Sequence, residues 1–274
     1  MKFFSVNNLS VSYGKHQILS NLSFEADASA TIGILGANGC GKTTLLKAIC
    51  GILPHGGSCQ LDGATLEDKK PRDLAKLCSY IPQRSGISID ISVLDTVLMG
   101  FHPYLGFLEH PSAKMKEKAL EIIRLVGLSG KEHTNYLHLS EGQKQLCILA
   151  RTLVTNSKLL LLDEPESALD FHFRYQMLAL IRKWNTDTRS TALISLHDPM
   201  LALNCCDQLL LLSEGHIASV LCPQTDSLSN MEEKLCQLYG DISLHYCTDK
   251  IGKKQIVMLK ENLFESTNEN HFFG

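Results

Sequence analysis

Short apolar runs alternate with longer stretches of helical periodicity along most of this sequence. The apolar runs predict strands at residues 3–11, 17–24, 30–35, 78–81, 159–162, 191–195 and 208–212. Helices are predicted over residues 42–50 and from Gln143 and Phe173, where apolar side chains recur every three or four positions. Apolar strands separated by helices are typical of a largely parallel sheet that is covered on both faces. The core is therefore predicted to be α/β.

The stretch between residues 83 and 139 lacks strong strand signals. Four of its apolar residues follow the i, i+3, i+4, i+7 spacing of an amphipathic helix: Ala119, Ile122, Ile123 and Val126. We predict a mainly helical insertion at about residues 86–155. After residue 222 the pattern is harder to assign. Residues 223–274 are treated as a C-terminal extension, and their polar end, 261–274, is predicted to be loosely ordered.

Charge and hydropathy exclude several classes of partner. The chain of 274 residues has 26 Lys and Arg against 29 Asp and Glu, a formal charge of −3, so it has no general attraction to polyanions. No nucleic-acid partner is predicted. The longest aliphatic run, residues 159–162, is far shorter than the ~20 residues of a membrane-spanning helix, and no signal-peptide pattern follows Met1. We expect the polypeptide to stay in the cytosol.

The ten cysteines contain no Cys-x-x-Cys pair and lie mostly inside apolar stretches. We interpret them as reduced, buried thiols rather than as metal ligands or disulfides. His133 and His138 lack the neighbouring cysteine or Glu-x-x-His pattern that would indicate a zinc site.

A glycine-rich segment follows the predicted strand that ends at Leu35 and precedes a predicted helix. It matches G-x-x-x-x-G-K-[ST], the pattern of a phosphate-binding loop. Glycines let successive backbone N–H groups converge on phosphates, Lys42 adds a positive charge for the β and γ phosphates, and Thr43 can ligate Mg²⁺. The predicted binding residues are Gly36, Asn38, Gly39, Cys40, Gly41, Lys42, Thr43 and Thr44.

A pair of carboxylates ends the apolar run at residues 159–162. Asp163 is predicted to orient Mg²⁺, and Glu164 to polarise a water that attacks the γ phosphate. The carboxylates, the lysine and the hydroxyl together indicate phosphoryl chemistry on a nucleotide. Kinases, GTPases, helicase-like motors and transport ATPases all remain open at this point.

Further motifs resemble those of ABC ATPases and occur in that family's order. The segment 139–143, with Ser140, Gly142 and Gln143, resembles the signature peptide. Four other positions match the adenine-stacking aromatic, the Q-loop, the D-loop and the switch histidine: Tyr13, Gln83, Asp170 within 167–170, and His197. The resemblance covers roughly residues 2–220.

The resemblance implies a P-loop NTPase fold of ABC ATPase type. Such a fold has a mostly parallel sheet core, an antiparallel β subdomain and an inserted helical subdomain, here within an ABC ATPase domain at residues 1–222. It also implies a homodimer in which each ATP lies between the phosphate loop of one subunit and the signature peptide of the other.

The same resemblance implies a role for each matched residue. Tyr13 would stack on adenine, and Asp170 would serve the subunit interface. Glu164 would be the base and His197 would contact the γ phosphate. Mg²⁺ and water would be organised by Thr43, Gln83 and Asp163.

Two short sequence segments serve as subfamily marks: residues 93–104 and 238–241. They look like the corresponding segments of ATPase subunits that energise iron-siderophore, haem and cobalamin uptake. They imply separate transmembrane permease subunits, an extracytoplasmic substrate-binding protein and a position at the cytoplasmic face of the membrane. Two residues depart from the family pattern: Glu141 replaces a signature glycine, and Glu166 stands where Thr or Ser is common. We expect Glu141 to point outward.

Two other functions remain open. One is a soluble ABC ATPase that acts on nucleic acid or on a cofactor-assembly complex. The other is a P-loop kinase for a small molecule, which gives no reason for the signature peptide or for His197.

Overall fold

The computed structural model describes residues 2–83, 86–167 and 169–261. Its strands are β1 Phe4–Tyr13, β2 His16–Ala26, β3 Thr31–Leu35, β4 Gly56–Leu61, β5 Ala64–Thr65, β6 Cys78–Ile81, β7 Leu159–Asp163, β8 Thr191–Ser195, β9 Gln208–Ser213, β10 His216–Leu221, β11 Ile242–Thr248 and β12 Lys254–Lys260. Its α-helices are α1 Lys42–Ile49, α2 Pro71–Leu77, α3 Val93–Leu98, α4 Ala113–Leu125, α5 Glu141–Leu153, α6 Phe171–Thr188, α7 Pro199–Cys205 and α8 Leu228–Tyr239. Short 3₁₀ helices lie at Met99–Tyr104 and Tyr136–His138.

The central sheet has the order β10-β9-β3-β8-β7-β6 and is parallel except for β10. Strand β7 shows why its first four residues are all leucine. Leu159 and Leu161 pack into one hydrophobic cluster, while Leu160 and Leu162 pack into the other on the opposite face. A strand buried on both faces has no polar positions to alternate with. The predicted α/β core is confirmed.

A second sheet, with the order β2-β1-β4-β5, is entirely antiparallel. Together with α1 it covers one face of the central sheet through a shared apolar cluster. Strands β4 and β5 were not predicted, because β4 begins with Gly56 and Gly57 and has few apolar residues in sequence. Pairing of β4 to β1, and of β5 to β4, supplies the order that their own sequence does not.

Helices α3, α4 and α5 pack against one another and extend the apolar cluster on the other face of the sheet. Ala119, Ile122 and Ile123 are buried on α4, at the spacing that predicted this helix. Helix α5 begins at Glu141, two residues before the predicted start. Ser140 and Gln143 form a capping box there, in which each side chain accepts a hydrogen bond from the other's backbone N–H.

Helix α6 likewise begins at Phe171 rather than at Phe173. The Asp170 carboxylate accepts a hydrogen bond from the Phe173 N–H at 3.0 Å and so caps the helix two residues earlier. Ala168, in the predicted D-loop, lies outside the described residues.

The chain after β10 forms α8 and the hairpin β11–β12. Asn204 of α7 fixes the hairpin: its amide donates to the Ile256 carbonyl and accepts from the Ile256 N–H, both at 2.8 Å. Of the polar end predicted to be loosely ordered, residues 262–274 lie outside the described residues.

Within residues 2–83, 86–167 and 169–261, no helix is both long enough and apolar enough to cross a bilayer. All ten cysteines fall in these ranges as free thiols.

Candidate nucleotide site

The predicted phosphate loop connects β3 to α1 at the carboxyl edge of the central sheet. Only glycine fits at Gly36, since a Cβ there would lie 2.2 Å from the backbone oxygen of Leu212. Gly41 caps α1 with a left-handed backbone, φ +109°, which also favours glycine. The N–H groups in the first turn of α1 have no partners within the helix. The loop is therefore shaped to present backbone donors to an anion.

The Lys42 side chain is hydrogen-bonded to the backbone of this loop. Its side chain donates hydrogen bonds to the carbonyl oxygens of Gly36 at 2.7 Å and Ala37 at 3.2 Å, and the residue is 5% exposed. The positive charge is thus fixed inside the turn rather than in solvent. A fixed, partly desolvated ammonium acts on a phosphate more strongly than a surface lysine does.

A cavity of about 340 Å³ opens above the loop. Its lining residues are Asn38, Gly39, Gly41, Lys42, Thr43, Thr44, Gln83, Glu164 and His197. Three of them, Gln83, Glu164 and His197, lie far apart in the sequence. The fold brings these three to the phosphate loop.

Glu164 is the centre of this group. Its backbone is left-handed, with φ +49°, and its N–H donates to the Ser195 hydroxyl at 2.9 Å. One carboxylate oxygen accepts from Gln83 Nε2 at 2.5 Å and the other lies 2.7 Å from His197 Nε2. Each oxygen keeps a second lone pair, so Glu164 can still accept a hydrogen bond from water.

Asp163 is almost fully buried beside Glu164. Its two oxygens accept from the Ser195 hydroxyl at 2.8 Å and the Tyr80 hydroxyl at 3.3 Å. Burial raises the pKa of Tyr80, and the negative charge of Asp163 raises it further, so the phenol stays protonated and donates. Both hydrogen bonds fix the direction of the Asp163 carboxylate.

Ser195 and Tyr80 were not predicted as site residues. Ser195 lies opposite Asp163 in the parallel pairing of β7 and β8, and this register decides its contact. The available signal was its position two residues before His197, at the end of an apolar strand.

Ser195→Ala is expected to lower the free energy of unfolding by about 1–3 kcal/mol, because the buried Asp163 carboxylate loses one of its two donors and the buried Glu164 N–H loses its acceptor. Denaturant unfolding measures this change. Ser219→Ala is the matched control, since the Ser219 hydroxyl makes one exposed hydrogen bond, to Gln237. Equal stability of the two variants would contradict the bridging role of Ser195.

Glu166, for which the sequence suggested no role, holds the backbone of His197. Its Oε1 accepts the His197 backbone N–H at 3.2 Å, and only 2% of the residue is exposed. Burial raises the pKa of Glu166. Its Oε2 is buried without a hydrogen-bond partner among the described residues.

Of the predicted residues that the structure describes, eight are not part of the lining of this cavity. Tyr13 is half exposed at the end of β1, and Ser140, Gln143 and Asp170 act as helix caps. Gly142 approaches Leu169, so the predicted signature peptide lies beside the predicted D-loop. Within the described part of the chain these residues do not line the cavity of the phosphate loop. Three other predicted residues are also outside the lining but adjacent to it. Asp163 lies next to the lining residue Glu164, while Gly36 and Cys40 belong to the phosphate loop.

Glu141 forms an ion pair with Lys144 of the same helix at 2.7 Å, and its side chain is 73% exposed. The Glu141 side chain thus points into solvent in the single chain, while its direction relative to a γ phosphate stays a prediction. A carboxylate at this exposed position is screened by solvent.

The fold and the site define a P-loop nucleoside triphosphatase. Residues 19–167, more than half of the chain, match the sequence model of the family described as ABC transporter. The chain therefore belongs to the ABC transporter family, as its motifs predicted.

Curated relatives and solved structures agree with this assignment. The hemin import ATP-binding protein HmuV of Deinococcus radiodurans is 36% identical over 217 residues, which is 77% of this chain and 81% of that protein. The manganese transport system ATP-binding protein MntB of Listeria monocytogenes is 31% identical over 238 residues, 86% of this chain and 95% of that protein. An inward-facing structure assigned to the metal-chelate type of ABC transporter matches with a TM-score of 0.81 and 25% identity, covering 96% of this chain and 100% of its own.

The predicted enzyme class is confirmed: the chain is an ABC ATPase, an ATP-binding subunit of a transport system with a separate membrane permease. The relatives above are named as transport subunits, which does not favour a soluble ATPase that acts on nucleic acid or on a cofactor-assembly complex. The family also excludes the small-molecule kinase.

Proposed function

We propose that this subunit hydrolyses ATP at the cytoplasmic face of the membrane to energise import of an iron chelate, haem or cobalamin. A permease would carry the cargo, delivered by an extracytoplasmic substrate-binding protein. The observation that carries the ATPase site is the contact of Glu164 with both Gln83 and His197 above the phosphate loop. The marks at residues 93–104 and 238–241 and the hemin import relative support the cargo class.

The loop residues fit a triphosphate. Gly36 lets the loop pack against the Leu212 backbone, and the left-handed backbones of Gly39 and Gly41 would let successive N–H groups turn toward one anion. In our proposal, Lys42 moves its hydrogen bonds from the loop carbonyls to phosphate oxygens, while Asn38, Cys40 and Thr44 contribute to the loop and helix N-terminus. Tyr13 would stack on adenine, which its half-exposed ring allows.

The donor set also fits Mg²⁺. Thr43 offers a hydroxyl, Gln83 an amide oxygen and Asp163 a carboxylate, and such oxygen ligands suit this hard cation. Because Gln83 donates to Glu164 through its nitrogen, its amide oxygen is left as an acceptor. When bound, Mg²⁺ would neutralise charge on the β and γ phosphates.

Glu164 would act as the general base. Its carboxylate would accept a proton from the attacking water through a remaining lone pair. His197 would leave Glu164 to donate to the γ phosphate, and Glu166 would keep the His197 backbone in place during that change. Gln83 would hold the carboxylate in the direction of the water.

Completion of the site requires a second copy in this proposal. Ser140 and the backbone N–H groups near Gly142 lie at the N-terminus of α5, where donors suit a γ phosphate of the opposite subunit. Gln143 holds Ser140 in the capping box, and Asp170 would contact the facing subunit. ATP would thus join two subunits head to tail.

We also propose a division of the chain: an ABC ATPase domain at residues 1–222, which includes a helical subdomain at about 86–155 that docks the permease, and an extension at 223–274.

Reconstitution tests the cargo. The complex purified through this chain would be placed in vesicles with the ATPase side inward and ATP enclosed, because an importer moves cargo toward its ATPase side. Uptake of hemin, a ferric siderophore, cobalamin and Mn²⁺ would then be measured with and without ATP. We expect ATP-dependent uptake of one of the first three, because the subfamily marks agree with those cargoes. Uptake of Mn²⁺ alone would overturn the cargo class while leaving the ATPase site intact.

A further inference from the structure

Three side chains with metal-binding atoms meet at the far end of α1 from the phosphate loop. They are His55, just before β4; Cys59, within β4; and Glu67, just after β5. Their ligand atoms all lie within 4.8 Å of one another. The spacing His-x₃-Cys-x₇-Glu contains neither a Cys-x-x-Cys pair nor a Glu-x-x-His pattern. The turn between β4 and β5 brings these residues together.

A hydrogen bond to the backbone fixes which ring nitrogen of His55 carries a hydrogen. Its Nδ1 lies 3.1 Å from the Gly56 carbonyl oxygen, which can only accept, so Nδ1 carries a hydrogen. The other nitrogen of a neutral ring, Nε2, then presents a lone pair. That nitrogen lies 3.4 Å from Glu67 Oε1. Both atoms have lone pairs directed to the same region, so a metal ion placed between them could bind to both.

Glu67 and Cys59 are held in place around the same point. Glu67 Oε1 accepts the Cys59 backbone N–H at 2.7 Å, and the Cys59 residue is fully buried. Burial raises the pKa of the Cys59 thiol, and the negative charge of Glu67 raises it further.

We propose that His55, Cys59 and Glu67 bind one divalent transition-metal ion of the Zn²⁺ class. Imidazole, thiolate and carboxylate together suit Zn²⁺ and Co²⁺, whereas a thiolate is a poor ligand for Mg²⁺ or Ca²⁺. On binding, the Cys59 proton leaves to solvent and a metal–sulfur bond forms. This site uses none of the residues placed in the nucleotide site.

The dimensions agree with this assignment. Zinc bonds of about 2.0–2.3 Å in a tetrahedral site place ligand atoms about 3.3–3.8 Å apart. The His55–Glu67 distance of 3.4 Å already falls in that range. The Glu67 side chain is 30% exposed and can adjust toward Cys59.

A cavity of about 710 Å³ reaches the site, and His55 and Glu67 are part of its lining. This gives an ion a route from solvent and leaves room for a water as fourth ligand. A bound ion would tie the segment after α1 to the β4–β5 turn.

Cobalt titration of the chelator-treated full chain tests the proposal. We expect one equivalent of Co²⁺ to produce a sulfur-to-cobalt charge-transfer band that Zn²⁺ removes. The band should be lost in Cys59→Ser and kept in Cys50→Ser, which changes a half-buried thiol lining the same cavity. Any Co²⁺ at the oxygen ligands near Asp163 gives no such band, so the two sites are distinguished.

A wild-type chain without the band, or a band that persists in Cys59→Ser, would overturn the metal site. If Cys59→Ser does not fold, His55→Gln provides the test, because it leaves the buried thiol in place. We expect the affinity for Co²⁺ to fall about tenfold or more in this variant. Unchanged affinity would show that His55 is not a ligand.

Discussion

Lys42→Ala is expected to abolish ATP hydrolysis. The Lys42 ammonium is enclosed by the phosphate loop. In the proposed site its charge would lie where negative charge develops on the transferring phosphoryl group. Removing one such preorganised group costs about 10²–10³ in rate, or more where the group carries a full charge. Phosphate release by the purified chain measures the effect at saturating ATP.

Lys47→Ala is the matched control for this prediction. Lys47 lies in the last turn of the same helix and outside the lining of the nucleotide cavity within the described residues. It should therefore keep the wild-type rate. Hydrolysis by Lys42→Ala at the rate of Lys47→Ala would remove Lys42 from the proposed site.

Glu164→Gln is expected to retain ATP binding, reduce hydrolysis by about 10²–10⁴ and accumulate a dimer. Glutamine keeps the size and one acceptor oxygen of Glu164 but accepts no proton from water. The ATP proposed to join two subunits would then persist. Light scattering after size exclusion with MgATP measures the dimer, and phosphate release measures turnover.

An exposed carboxylate on α4, Glu121, supplies the control Glu121→Gln, which should remain active and should not accumulate the dimer. A Glu164→Gln variant that stays monomeric with saturating MgATP would contradict the shared site. Normal hydrolysis by that variant would contradict the role of Glu164 as base.

The Glu164→Gln variant also provides a test of the signature peptide. Adding Ser140→Ala should weaken the trapped dimer, because Ser140 is proposed to reach the γ phosphate of the other subunit. Ser140 also caps α5, so the control must be a substitution that removes a helix cap elsewhere. Ser112→Ala removes the equivalent cap of α4, where the hydroxyl accepts the Met115 N–H at 3.3 Å. A dimer weakened equally by both substitutions would indicate helix stability rather than contact with ATP.

The amino-acid sequence by itself determined the phosphate loop and the central strands. The loop is determined locally, since closely spaced glycines at Gly36, Gly39 and Gly41 permit the backbone conformations that set its shape. The four leucines of β7 specify a strand buried on both faces, because no polar residue alternates with them. Such features depend on neighbours in the chain, so a sequence pattern reports them.

The tertiary structure alone decided which distant residues meet. Ser195 contacts Asp163 only because β7 and β8 pair in one register, and a shift of one residue would turn the hydroxyl to the other face. The contacts of Glu164 with Gln83 and His197 join three loops at the sheet edge. The group at His55 likewise depends on a β4–β5 turn that the sequence pattern did not predict. Contacts between distant residues follow from packing and register, which the order of residues along one segment does not encode.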